Sequence, residues 1–246
     1  VNKTTRQYPD SELRYVYWSS PVVSADLATV FDNPYLNRRY EFDAAKFIDR
    51  HTDVALADGT PDDIDDDNND WQRYSGLMVA GHGYVIATDN SAYPTTDPYS
   101  NTHQFTGELN TGDIPVPIFR NDSFTGDTNW NLIGNPYPSA IDVTKFITEN
   151  YYDSTNNRTG TIDGDIWVWV SDGVLDNGVA TAGNPGFDTY NFSQADYFQI
   201  NLTGGTPGPG FIPFPSGQGF FVSMSDFATP VTTTVNPDGQ TIARGT

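Results

Sequence analysis

Two parts of the chain carry the same series of motifs in the same order, and this repeat constrains the fold more than any other feature. The motifs of the first part are residues 18–21, a short helix containing Phe31, and residues 39–43 and 81–86. Those of the second part are residues 132–136, a short helix containing Phe146, and residues 165–169 and 217–222. Pro136 follows Pro21 by 115 residues and Gly217 follows Gly81 by 136, as loop insertions in a second copy would produce. The alternative is chance similarity between aromatic-rich strands.

Seven short segments have the composition of β-strands. They are rich in aromatic and β-branched residues and are bounded by Gly, Pro, Asn and Asp. These segments are 13–18, 39–43, 84–87, 114–119, 165–170, 197–202 and 219–223. Helical periodicity is confined to 24–32 and 142–150, and each begins with a residue type that caps helices, Ser24 or Asp142. The sequence therefore predicts an all-β fold, with a β-sandwich or jelly-roll-like architecture.

The repeat and the aromatic content together predict one module. The two halves span about 11–119 and 128–246, and the chain contains 14 Tyr, 15 Phe and 5 Trp. Aromatic side chains bury large areas, so each half alone would leave an aromatic face exposed to water. We therefore expect the two halves to pack against each other, and residues 1–246 to form a single composite unit.

The charge of the chain limits its partners. There are 32 acidic side chains, nearly all of them Asp, against 12 Lys plus Arg, so the net charge is −20. Nucleic acids and anionic membranes are polyanions that this surface would repel, and we expect neither nucleic-acid binding nor membrane insertion. The chain has no Cys. The absence of disulfides is typical of an exported bacterial protein rather than of a small secreted eukaryotic domain. The lack of an initiator Met predicts a processed or excised segment.

The acidic insertion at 58–70 is the strongest chemical signal. Calcium takes six to eight oxygen ligands, and closely spaced carboxylates on a loop supply them. The predicted ligands are Asp58, Asp62, Asp63, Asp65, Asp67 and Asp70. The segment resembles a thrombospondin type 3 calcium repeat but lacks a Gly after Asp67, and the alternative is a solvated acidic loop. Trp71 follows directly and is the predicted ligand-binding residue, a ring that would stack on a glycan beside the calcium.

Several motifs resemble a signature of large surface proteins exported by the type IX secretion system of gliding and related bacteria. The matching segments of the second half are 131–142, 166–169 and 215–222, and those of the first half are 17–22 and 81–86. The resemblance implies an extracellular, cell-surface-attached adhesin built from repeated β modules. Its implied partners are other domains of the same long chain, the secretion and outer-membrane attachment machinery, and surface glycans. The family's sorting tail is not recognised in the sequence, which implies an internal or passenger segment.

The remaining motifs favour structure over catalysis. Residues 134–139 (GNPYPS) have the composition of a turn and predict a rigid strand-to-helix corner. Residues 81–83 and 217–219 are Gly-X-Gly sequences that precede strands, so we interpret them as bulges or close backbone approaches. Glu41 and Asp43 share a strand face with Arg39, which indicates a polar surface. We therefore expect a non-catalytic adhesive or structural module. The alternative is an accessory or catalytic domain of a polysaccharide-degrading enzyme, which needs two carboxylates.

Overall fold

The computed structural model confirms the predicted all-β fold. It describes residues 1–7, 15–34, 37–44, 71–87, 99–120, 129–169, 197–202, 213–226 and 232–235. The strands of the first half are β1 Asn2–Gln7, β2 Tyr15–Trp18, β3 Arg39–Phe42, β4 Trp71–Arg73, β5 Tyr84–Ala87, β6 Tyr99–Gln104 and β7 Ile114–Pro117. Those of the second half are β8 Trp130–Gly134, β9 Ile141–Asp142, β10 Tyr152–Asp153, β11 Arg158–Thr159, β12 Asp165–Trp169, β13 Tyr197–Asn201, β14 Pro213–Phe214, β15 Gly219–Ser223 and β16 Thr232–Val235. The helices are α1 Leu27–Val30 and α2 Val143–Asn150.

Two antiparallel sheets of four strands have the same strand order. The first sheet runs β2-β5-β3-β4 and the second runs β8-β15-β12-β13. Their registers also correspond. Trp18 pairs with Tyr84 in the first sheet, as Ile133 pairs with Phe220 in the second. These pairs obey the offsets of 115 and 136 that the sequence motifs give, so the repeat is visible in the strand pairing itself.

The two sheets meet along a seam formed by residues 17–19, 81–83, 132–134 and 217–219. The amide of Ser19 donates to the carbonyl of Gly217 at 2.8 Å, and the amide of Gly134 donates to the carbonyl of Gly81 at 2.9 Å. The sequence offsets make Ser19 the counterpart of Gly134 and Gly81 the counterpart of Gly217, so these two bonds are equivalent. Each half therefore contacts the other through the same set of residues, as the subunits of a two-fold symmetric dimer do.

The side chains of each sheet alternate between two cores. The inner faces of both sheets share one aromatic layer, in which Tyr17 of β2 stacks on Trp169 of β12 with ring centroids 5.7 Å apart. The outer face of the first sheet packs on α1, and that of the second sheet packs on α2. The order of layers is therefore helix, sheet, sheet, helix.

Both predicted helices form, but one cap differs from the prediction. The carboxylate of Asp142 accepts the amides of Thr144 and Lys145 and caps α2 as expected. The cap of α1 is Asp26 and not Ser24, since the amide of Thr29 donates to the Asp26 carboxylate at 2.7 Å. Ser24 instead has a φ of 52°, a left-handed conformation outside the helix. The proposed half boundaries stay predictions, because residues 8–14 and 121–128 lie outside the described ranges.

Candidate functional site

The predicted calcium ligands cannot be placed. All six Asp residues fall within 58–70, which lies outside the described residues. In the part of the chain that the structure describes, no three His, Cys, Asp or Glu side chains come together as a metal site. The calcium prediction at 58–70 therefore stays a prediction.

Trp71 is the first residue of β4 and lies at the margin of the inner aromatic layer. It is half-buried, pairs with Phe42 across the strands, and packs on the Phe42 ring at 5.0 Å and on the Phe221 ring at 6.1 Å. Because Phe42 belongs to the first sheet and Phe221 to the second, Trp71 links the two sheets. Its role in ligand binding stays a prediction, because residues 58–70 lie outside the described ranges, and its contacts show a packing role.

The second half supplies a copy of this aromatic margin. Trp169 and Tyr197 pair across β12 and β13 at the positions of Phe42 and Trp71, and their rings lie 5.3 Å apart. The hydroxyl of Tyr197 shares a hydrogen bond of 2.7 Å with the hydroxyl of Tyr17. Trp167, also on β12, packs edge-on against Trp130 at 5.8 Å. These rings form part of the contact between the two sheets.

Residues 134–139 form the predicted rigid corner, and Asn135 holds it. The fully buried Asn135 amide donates to the carbonyls of Ser139, Phe214 and Pro215 at 2.9, 3.2 and 3.0 Å. Its side-chain oxygen accepts the amide of Tyr137 at 2.9 Å. Both ends of the side-chain amide are thus hydrogen-bonded within the corner, which supports a structural role for the motif.

A second buried amide, Asn110, was not predicted. Its side chain donates to the carbonyls of Ser20 and Pro136, both at 2.9 Å, and its backbone amide donates to Pro21. Ser20 and Pro136 belong to the corresponding turns of the two halves, so Asn110 ties these turns together. Nothing in its local sequence, a polar stretch between two strands, marks it for this role.

The two Gly-X-Gly segments are backbone contacts of the seam. Gly81 has a φ of 82° and Gly217 a φ of 70°, the left-handed region that favours glycine. A Cβ on Gly83 would lie 2.4 Å from a Leu132 carbon, and one on Gly219 would lie 3.1 Å from the Trp18 amide nitrogen. The prediction of close backbone approach is confirmed. His82 lies between the first pair of glycines, and its burial lowers the pKa of its imidazole.

The carboxylates considered for catalysis fall at different positions in the fold. Glu41 is half-buried on β3 and pairs with Tyr84, whereas Glu108 is exposed after β6. Arg39 is buried and donates to the carbonyl of Phe31 at 2.8 Å, where it closes the C-terminal end of α1. Burial raises the pKa of Asp165, whose carboxylate accepts a hydrogen bond from Gln199. Arg39 and Asp165 therefore each have a hydrogen-bond partner within the fold.

A cleft of about 290 Å³ opens on the outer face of the first sheet. Its floor includes Trp18 and Phe31, one wall is the C-terminal end of α1, and the other is the two-stranded ribbon of β1 and β6. The His103 ring of β6 packs on Phe31 at 4.6 Å and on Trp18 at 5.4 Å, and its Nδ1 lies 3.3 Å from the Val30 carbonyl. The sequence did not predict this cleft, because the strands of the ribbon are polar.

Comparisons with known proteins place the chain in a family but give no activity. No helix among the described residues is long and apolar enough to cross a membrane. Neither a search of curated proteins nor a search of solved structures found a match. Residues 1–238 match a family model, and the chain therefore belongs to the family described as Domain of unknown function (DUF8693).

Proposed function

We propose that the chain is a non-catalytic module of a larger exported bacterial surface protein. It acts as a rigid structural or adhesive unit and binds calcium through residues 58–70. The seam is the observation that carries the proposal. The hydrogen bonds between Ser19 and Gly217 and between Gly134 and Gly81 join the two sheets as one ladder would. The halves cannot separate without breaking these bonds and exposing the aromatic layer.

Further features support a role in display. A sandwich of two packed sheets fixes the ends of its strands, from which the connecting segments leave, and rigid scaffolds of this kind commonly carry binding loops. The acidic 58–70 segment ends where β4 begins, and β4 packs on both sheets through Trp71. A cation bound at 58–70 would therefore attach to the rigid part of the module. The net charge of −20 supports solubility outside the cell.

Single-molecule force spectroscopy tests the rigid unit. We expect the chain, held between two handle domains, to unfold in one event that releases about 800 Å of contour for 246 residues. Two events of about half that length would show that the halves are independent domains and would contradict the proposal. Incubation with plant and algal polysaccharides addresses the enzyme alternative. If the parent protein releases reducing ends and the Glu41→Gln variant does not, the protein is a hydrolase and the proposed non-catalytic function is wrong.

A further inference from the structure

The walls of the outer cleft are polar and almost uncharged. The neutral hydrogen-bonding side chains that line it include Thr5, Thr29, Asn101, Thr102, Gln104 and Thr106. Among the described residues that line it, Asp32 has the only carboxylate, and none is Lys or Arg. Hydroxyl and amide groups donate and accept hydrogen bonds without favouring a charged ligand. An anionic ligand would meet neither Lys nor Arg among the described lining residues and would approach a protein of net charge −20.

The base of the cleft is aromatic. Trp18, Phe31 and His103 pack on one another beneath the polar walls, and the Phe31 and His103 centroids are 4.6 Å apart. Trp18 and Phe31 are only 4% and 2% exposed, so the half-buried His103 is the ring of this cluster that a ligand in the cleft would contact. The volume of about 290 Å³ lies at the lower end of the roughly 300–1,000 Å³ of small-molecule sites, so the cleft is sized for one ring rather than a long chain.

The cleft lies over a part of the first sheet whose counterpart in the second sheet is buried. Trp18 and Ile86 line the cleft, and under the sequence offsets they correspond to Ile133 and Val222, which belong to one buried cluster with the fully buried Ile162 and Met224. The first-half counterpart of Met224, residue 88, lies outside the described residues.

We infer that this cleft is a binding site for one neutral sugar ring, with Thr5 and Asn101 supplying hydrogen bonds and the His103 ring, supported by Trp18 and Phe31, contacting the apolar face of the sugar. The site lies on the outer face of the first sheet and is distinct from Trp71, which lies at the inner layer. It goes beyond the proposed function, because a rigid module has no need of it.

The test is a titration of the whole chain with glucose, galactose, mannose and xylose, followed by ligand-observed NMR. We expect at least one of these sugars to bind. Thr5→Val and Asn101→Ala should each weaken binding by about five-fold, the loss of one hydrogen bond. Thr159→Val is the matched control, because Thr159 is exposed on β11 and is not among the residues that line the cleft, and it should leave the affinity unchanged. Near-UV circular dichroism verifies that each variant is folded.

Three results would overturn the inference. The first is that none of the four sugars binds at 10 mM, a concentration roughly ten times a Kd of 1 mM. The second is sugar binding that is unchanged by Thr5→Val and Asn101→Ala but is lost in Trp71→Ala. This result would place the binding site at Trp71, at the margin of the inner aromatic layer. The third is stronger binding of glucuronate or tetramethylammonium than of any neutral sugar. The rigid-module proposal is unaffected by all three, since the force measurement tests it separately.

Discussion

Replacement of Asn135 by Ala should destabilise the whole module. The substitution removes three donated hydrogen bonds and one accepted bond. The bonds to the Phe214 carbonyl and from the Tyr137 amide are buried, so both backbone groups lose their side-chain partner away from water. Each unsatisfied group lowers the free energy of unfolding by about 1–3 kcal/mol. The bonds to Ser139 and Pro215 are only partly buried, so water replaces them at about 0.5 kcal/mol each. The sum is about 4 kcal/mol, or about 12 °C in Tm for a chain of this size.

Differential scanning calorimetry measures this change, and Asn156→Ala is the matched control. Asn156 is exposed and its amide donates to the carboxylate of Asp153, so its removal should lower Tm by no more than about 2 °C. The isosteric variant Asn135→Asp fits the same space but its carboxylate cannot donate at neutral pH, and it should lose at least as much as Asn135→Ala. A Tm shift for Asn135→Ala as small as that of the control would show that the corner does not depend on these bonds.

Three further predictions concern the metal, the pH and the glycines. If calcium binds the 58–70 segment, calcium at a hundred times its Kd should raise Tm by about 5–10 °C relative to an EDTA-treated sample. Equal melting temperatures would contradict the prediction of a calcium site. The pKa of His82 is lowered by burial, so below about pH 6.5 the unfolded chain binds a proton that the folded chain excludes. Stability should therefore fall from pH 7 to pH 5 more steeply for the parent than for His82→Gln, and parallel melting curves would contradict this. Gly112→Ala should cost about 1 kcal/mol in urea unfolding, because Gly112 has a φ of 73° and nothing within 4 Å of an added Cβ. Gly81→Ala should cost clearly more, because its Cβ would lie 2.3 Å from a Val116 carbon, and equal losses would show that this contact relaxes freely.

The strand framework could be predicted from the sequence because its strands are short and aromatic. The predicted segments 84–87 and 219–223 coincide with β5 and β15. The offsets between the two copies also predicted which strands correspond, and the pairing of Trp18 with Tyr84 recurs as that of Ile133 with Phe220. The alternation of side chains between two buried faces fixed this register, since a slip by one residue would exchange the two cores.

The ribbon and the cleft could not be predicted in the same way. β1 (NKTTRQ) and β6 (YSNTHQ) are polar, so neither shows the apolar alternation that marks a half-buried strand. Their pairing depends on a contact across about a hundred residues, in which Asn2 lies opposite Gln104. Asn110 escaped prediction for a related reason. Its partners, Ser20 and Pro136, are backbone carbonyls that come close only after both halves have folded.

The outer faces of the two copies differ among the described residues. In the second copy Ile162 and Met224 are fully buried, and burying a side chain of this size contributes about 1.5–3 kcal/mol. In the first copy the polar cleft opens on the outer face of the sheet, beside Thr5 and Asn101 of the ribbon. Because the seam and the aromatic layer join the copies, stability gained by one half is shared by the whole module. We therefore expect the fused pair to tolerate an open polar cleft that would weaken an isolated copy.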